Sequence, residues 1–259
     1  MVLEVEHHDS VAVVTLSAEA ARNAFSSDSM EKISSTLNTL MDDPNIRGIV
    51  LTGTGRFFCA GADIDEFQRS IQEGRIGPLV DDLTSILHPL QIRMRTDTTI
   101  LIAAINGAAA GGGLGLALAC DARVASPDAK LASAFFKLGL SPDGGTTWLL
   151  PRLVGNQVTR RFFFNDETWD GQEAFEKGAV DEIVQQDDLV TRAIEMASDW
   201  GHWSKMSRSG TKQLLDASTS TFFQTQLEFE QALIIAASQT DEFAEGVAAF
   251  LEKRDPIFD

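Results

Sequence analysis

The stretch Ile102-Ala103-Ala104-Ile105-Asn106-Gly107-Ala108-Ala109-Ala110-Gly111-Gly112-Gly113-Leu114-Gly115 constrains the fold more than any other. It opens as a short, apolar, partly β-branched segment, breaks at Asn-Gly, runs through alanines and glycines, and leads into an Ala/Leu helix ending near Cys120. A buried strand, a glycine turn and a helix in that order belong to an α/β fold. Glycine permits close backbone approach, and a helix N-terminus offers unpaired N–H donors and the positive end of the dipole, which suits a phosphate or a carbonyl that becomes an oxyanion. Tight packing of a helix on a sheet accounts equally for an isolated glycine cluster. No Lys-Ser/Thr follows the glycines, and no G-x-G-x-x-G with a later acid is present, so a nucleotide triphosphate or NAD site is not indicated.

The rest of the chain follows the same alternation. Val2 to Glu6, Val11 to Leu16, Gly48 to Leu51 and Ile100 to Ile105 read as strands, with shorter ones near Ala122 to Val124 and Lys130 to Ala132. Met30, Ile33, Leu37 and Leu40 recur at helical spacing after the cap candidates Ser26 and Ser27, as do Leu83, Leu87 and Leu90 after Asp81. Pro89 predicts that the second of these helices begins, kinks or breaks there. A further helix opens at Gly144-Gly145. From about Asp188 the pattern is helical throughout, over Leu189 to Trp200, Gly210 to Leu215, Phe223 to Ala237 and Glu242 to Leu251. The expected organisation is an α/β body over residues 1–187 and a helical C-terminal region over 188–259, with no linker or repeat between them.

Charge narrows the partners. With 21 Lys+Arg against 38 Asp+Glu the formal net charge is −17, and no basic block offsets it, which excludes a protein that works by neutralising nucleic-acid phosphates or an anionic membrane. Cys59 and Cys120 are the two cysteines, and no CxxC, HExxH or clustered Cys/His spacing offers a metal site. A reduced compartment follows. The start of the chain has no signal-peptide pattern and no apolar run spans a bilayer, so a cytoplasmic location is expected. There is no tyrosine, so hydroxyl chemistry would fall to Ser or Thr.

Two more segments stand out. Thr52-Gly53-Thr54-Gly55-Arg56-Phe57-Phe58-Cys59-Ala60-Gly61-Ala62-Asp63-Ile64 follows a strand and leads toward a helix, so two glycine-lined strand ends could supply two convergent N–H donors. Phe135-Phe136-Lys137-Leu138-Gly139-Leu140-Ser141-Pro142-Asp143-Gly144-Gly145 sets one carboxylate in an apolar stretch beside a helix start. By position alone, Asp143 is an N-cap.

Phe58-Cys59-Ala60-Gly61-Ala62-Asp63-Ile64, Ala103-Ala104-Ile105-Asn106-Gly107 with Gly111-Gly112-Gly113, and Pro142-Asp143-Gly144-Gly145-Thr146 with Pro151-Arg152-Leu153-Val154-Gly155 together resemble the enoyl-CoA hydratase/isomerase (crotonase) superfamily. The three motifs recur in that order at familiar spacing, and the similarity runs from Arg22-Asn23-Ala24-Phe25 to the closing Gly246 to Arg254 stretch. The resemblance implies a spiral of ββα units with a helical C-terminal region that assembles as a homotrimer or homohexamer. It implies an acyl-CoA thioester substrate, coenzyme A being part of that substrate and no separate cofactor being needed. The backbone N–H groups of Ala62 and Gly112 would form the oxyanion hole, with Ala60, Asp63, Ile64, Gly111, Phe135 and Leu140 around the acyl group. Arg22, Ala24, Arg56, Lys253 and Arg254 would meet the CoA portion, and Ser17-Ala18-Glu19 departs from the usual pattern near the adenine end.

The acid/base groups depart from the hydratases. Where those carry two glutamates, this chain has Gly115 and Phe135, so hydration is expected to be weak or absent. Asp143 falls where isomerases of the superfamily carry their working carboxylate. Its surroundings look most like the ring-epoxide isomerase of phenylacetate breakdown and are similar to Δ3,Δ2-enoyl-CoA isomerases. Burial beside Phe135, Phe136 and Leu140 would raise its pKa. His88 falls where 4-chlorobenzoyl-CoA dehalogenase has a histidine. That enzyme uses an aspartate at the Asp143 place as nucleophile, but Phe135 stands where its tryptophan would be. His88 is therefore placed near the acyl pocket without a role. A non-catalytic acyl-CoA-binding or RNA-binding member is the alternative outside enzymes, the acidic charge opposing RNA.

Overall fold

In the computed structural model the described residues are 2–17 and 22–258; Ala18 and Glu19, noted above, lie outside them. The chain builds two sheets. Strands β1 (Val2–His8), β2 (Val11–Ser17), β3 (Gly48–Gly53), β5 (Ile100–Ile105), β7 (Ala122–Ala125) and β10 (Glu182–Ile183) form the larger one in the order β1-β2-β3-β5-β7-β10. The first pair is an antiparallel hairpin whose turn residue Asp9 takes the positive φ a tight connection asks for, and the others run parallel from β2 onward. The smaller sheet, β4 (Phe57–Cys59), β6 (Ala108–Ala110), β8 (Lys130–Ala132) and β9 (Thr168–Asp170), collects the strand that follows each of β3, β5 and β7. The chain thus climbs from the first sheet to the second at each turn of the spiral, as expected for a crotonase fold.

Helices cover both faces of the large sheet. Ala12, Val14, Leu16, Ile49, Leu51, Leu101, Ala103 and Ile105 pack toward α1 (Ser27–Asp42), α3 (Ile76–Thr96) and α4 (Gly112–Ala119). The alternate residues Val11, Val13, Val50, Ile100, Ile102 and Ala104 meet Leu189, Ala193, Met196 and Ala197 of α8 (Leu189–Gly201). Period-two alternation with both faces buried is why β3 and β5 read as unbroken apolar runs.

Beyond α8 lie α9 (Lys205–Ser218), α10 (Phe223–Ala237) and α11 (Asp241–Glu252). The first is anchored by Lys212, which is buried and holds Asp121 at 2.7 Å and the Thr99 carbonyl at 2.6 Å. No residue of α10 is buried.

Of the outcomes expected at Pro89, neither a start nor a break is seen: α3 runs through it, with the proline at an exposed position of the helix. The segment expected at Gly210 to Leu215 extends over the whole of α9. Ser26 caps α1 by the expected hydroxyl bond to Ser29 N–H.

Candidate active site

The site is assembled from three turns that touch through backbone. Between β4 and α2 (Ile64–Gln72), Gly61 has φ +84°, and a methyl placed on it would lie 2.7 Å from Ala110 O and 3.1 Å from Gly112 N. Ala62, next to it, is thereby brought beside Gly112. Phe25 secures the turn from the other side: its N–H donates to Gly61 O at 2.6 Å and its carbonyl accepts from Asp63 N–H at 2.9 Å. That pattern leaves the N–H of Ala62 out of the bridge. Gly112 is the first residue of α4, so its N–H has no partner within the helix. Among the described residues no hydrogen bond uses either N–H, and both residues are partly open to solvent.

The third turn carries the carboxylate. Gly144 and Gly145 have φ of +62° and +69°, which delays α5 (Thr146–Val154) so that Gly145 is its N-cap and no side chain caps it. The Asp143 carbonyl accepts from Thr146 N–H and Oγ1 instead. The capping role that position suggested is therefore not the role of the Asp143 side chain, which hydrogen-bonds His88 Nε2 through Oδ1 at 2.9 Å. The two side chains are 42% and 47% exposed, so the carboxyl reaches solvent rather than the apolar pocket expected for it. Leu140 is exposed as well.

Packing ties this turn to the donors. A Cβ built on Gly144 would stand 3.5 Å from the Cα atoms of both Gly112 and Gly115. One built on Gly115 would lie 2.2 Å from Gly144 O, so no side chain fits at the place where hydratases carry a glutamate. Phe135, at the other such place, is buried with its ring edge 3.9 Å from a Cβ built on Gly111. Gln91 is buried on α3 and donates from Nε2 to Gly144 O at 2.9 Å. Sequence reasoning missed Gln91; its signal was a polar residue beside the buried stripe Leu83, Leu87, Leu90 and Met94.

The remaining expected residues divide. Ala60 N–H donates to Arg22 O, and Ala24 is buried alongside, so 22–25 back the Ala60–Asp63 turn. Arg22 and Arg56 extend from exposed positions near it, and Ile64 is exposed at the start of α2. Asp63 is the N-cap of α2, its carboxylate accepting from Asp65 and Glu66 N–H, which makes it a support of the turn. Arg254 is committed within its own chain: it pairs with both carboxylate oxygens of Glu245 and with Glu252, which holds the Glu245 carboxyl down at about 2. Lys253, its exposed neighbour, closes α11, whose Glu242 carboxylate accepts from Lys205 N–H at the start of α9. Within one chain Arg254 is held by the carboxylates of α11 itself. Cys59 and Cys120 are buried, and burial pushes each thiol up to about 12.

Residues 6–259 match the family model described as enoyl-CoA hydratase/isomerase. The 1,2-epoxyphenylacetyl-CoA isomerase of Escherichia coli is 32% identical over 251 residues, 96% of this chain and 94% of its own. The 2,3-dehydroadipyl-CoA hydratase of the same organism is 32% identical over 256 residues, 99% of this chain and 98% of its own. The crystal structure of an enoyl-CoA hydratase from Polaromonas is similar with a TM-score of 0.91 at 30% identity, covering 99% of both chains.

Proposed function

The chain belongs to the enoyl-CoA hydratase/isomerase family, and from that premise we propose that it is an enoyl-CoA isomerase that works with one carboxylate. The Ala62 and Gly112 N–H groups hold the thioester oxygen. Asp143 removes a proton from the carbon next to the carbonyl, the electrons pass to the oxygen as an enolate, and the same carboxyl returns the proton two carbons further along. No water enters and none leaves. The observation that carries this reading is Asp143 itself: its turn abuts Gly112, its side chain caps nothing, and both places for a second carboxylate are closed, by Gly144 against Gly115 and by Phe135. Two preorganised donors act on the charge that develops, and each typically contributes about 3 kcal/mol to the transition state.

The test is a panel of 3-enoyl-, 2-enoyl- and aryl-CoA thioesters in deuterated water, read by mass spectrometry. Deuterium at both exchangeable carbons without added oxygen supports isomerisation. Gain of water by a 2-enoyl-CoA, or of oxygen by an aryl-CoA, overturns it. That outcome defines a second reading, which the His88 contact favours: at 2.9 Å the imidazole and the carboxyl supply the two titratable groups that water chemistry needs. Hydration, or hydrolysis with Asp143 as nucleophile, is then the activity.

Arg22 and Arg56 are the cations we assign to the CoA phosphates, and the reading calls for no metal or prosthetic group. Among the described residues no helix is long and apolar enough to cross a membrane, and we place the protein in the cytoplasm. We also propose a homotrimer or homohexamer built on the C-terminal helices of residues 188–259, because α10 and its ends leave Phe222, Phe223, Ile234 and Ile235 more than half exposed.

A further inference from the structure

We infer that Gln91 is a positioning residue for the Asp143 carboxyl, a role that rests on the reading of Asp143 as the proton carrier. A Gly-Gly pair is pliable backbone, so the carboxyl is as well placed as whatever holds Gly144. Two contacts hold it. On one side Gly115 of α4 lies flush against Gly144 O, and on the other Gln91 Nε2 donates to that oxygen at 2.9 Å.

Gln91 is one turn along α3 from His88, which holds Asp143 Oδ1, and from Leu87, whose Cδ2 is 3.8 Å from a Cβ built on Gly112. One helix therefore touches the oxyanion donor, the carboxyl and the turn that carries the carboxyl. Residues 87, 88 and 91 of a single element thus bear on the separation of the Gly112 donor and the proton carrier. The Gln91 bond is the buried member of this set, whereas the His88 bond is half-exposed. Burial excludes water as a replacement donor to Gly144 O, so loss of the amide frees the turn. A shift of about 1 Å in a reacting group lowers a rate by up to about 10².

The experiment measures deuterium exchange at the carbon next to the carbonyl, using the 3-enoyl- or arylacetyl-CoA thioester that the wild type exchanges fastest. Gln91→Met keeps the volume and removes the donor. Its expected result is an exchange rate at saturation about 10–100-fold lower, with half-saturating thioester within about threefold of wild type. Gln91→Glu is the second variant and guards against misfolding of the first. Its carboxylate repels Gly144 O at pH 8, whereas the protonated acid donates to it, so its rate relative to wild type rises as the pH is taken from 8 to 6. A purely structural Gln91 would change rates only in step with the folded fraction, which a buried carboxyl at position 91 also makes pH-dependent, so each rate is divided by the fraction folded at that pH from circular dichroism, and the positioning role is the pH trend that survives this division.

Wild-type exchange by Gln91→Met, or a Gln91→Glu profile parallel to wild type, overturns the assignment. If the wild type shows no exchange that Asp143→Asn abolishes, the reading of Asp143 fails and takes this role with it. That result differs from strong Asp143-dependent exchange indifferent to Gln91, which removes Gln91 alone.

Discussion

Gly115→Ala separates the packing of the site from its chemistry. The added methyl would lie 2.2 Å from Gly144 O, 2.9 Å from its carbonyl carbon and 3.0 Å from its Cα. All three are backbone atoms, so no side chain can swing aside. Contact distances of about 3.5 Å require the turn to retreat by roughly 1 Å. Overpacking of this kind costs roughly 1–3 kcal/mol, and a stretched Gln91 bond adds about 1 kcal/mol. Alanine in a helix interior returns about 1 kcal/mol relative to glycine. The net loss is then roughly 1–3 kcal/mol, or a fall in Tm of roughly 2–12 °C for a chain of this size. The rate suffers more, because Asp143 travels with the turn, and a 1 Å misplacement is worth up to about 10²-fold. Thermal unfolding followed by circular dichroism, beside turnover on the best thioester of the panel, gives both numbers. A variant with wild-type Tm and wild-type turnover would mean that α4 and the Gly144 turn are not in contact, and the single-carboxylate argument would collapse.

Other outcomes test other parts. Asp143→Asn should fold normally and bind CoA thioesters nearly as well, since Asn Oδ1 still accepts from His88, yet turn over about 10²–10⁴-fold more slowly; wild-type turnover returns the search for a base to His88. Gly112→Pro removes one donor N–H and should lower turnover by about 10²–10³, whereas Gly112→Ala keeps the N–H; the comparison is refuted by a proline variant as active as the alanine one. Neither Cys59 nor Cys120 should react with iodoacetamide at pH 8 in the folded protein, while both should after unfolding in urea, with rapid native labelling the contrary result. Their thiols are raised in the fold to about 12 from an ordinary value of 9.0. Their contribution to stability is thus complete below about pH 9 and is lost as the pH rises toward 12, which alkaline denaturation curves of Cys→Ser variants should show by flattening.

The sequence reveals the regular elements far better than the junctions. Ile100–Ile105 and Phe223–Ala237 have the expected ends, the first because a six-residue apolar run rich in isoleucine is too short for a helix, the second because Ser220-Thr221 and Ser238-Gln239 bound the stretch that Phe222 caps. Phe57–Cys59 and Ala108–Ala110 left no strand signal: both are short pieces inside glycine-bounded stretches, and an Ala-Ala-Ala strand exists only because its neighbours in the small sheet pair with it. Asp143 shows why a local rule misled. Spacing before Gly144-Gly145 fits a cap, but two left-handed glycines move the helix start to Thr146 and release the carboxylate. Its partner His88 is 55 residues away, a pairing that no local pattern encodes. Arg254 was legible as a cation near the C-terminus but not as one claimed by Glu245 and Glu252, because a charge pattern carries no distances.

Four glycines explain how such a site keeps its frame while its chemistry varies. A Cβ on Gly53 would meet Phe57 O at 2.3 Å, on Gly107 Arg56 O at 2.3 Å, on Gly113 Cys59 O at 2.3 Å and on Gly115 Gly144 O at 2.2 Å. None of these has a positive φ, so glycine is demanded here by space alone. The Gly53 contact closes the β3–β4 turn on itself, the other three set one turn of the spiral directly against a backbone carbonyl of another, and the proposed oxyanion donors are themselves backbone groups. In the proposed reaction the side chain that enters the chemistry is Asp143, which projects from the third turn and is hydrogen-bonded by His88 of α3. The fourth glycine links frame to chemistry: a carboxylate on α4 at position 115 and a Gly144 turn pressed against that position are mutually exclusive arrangements. Choosing glycine at 115 lets the turn approach, the approach lets Gln91 reach Gly144 O, and the carboxyl next along the chain is then fixed beside Gly112. The absence of a second glutamate and the placement of Asp143 are two consequences of one close contact.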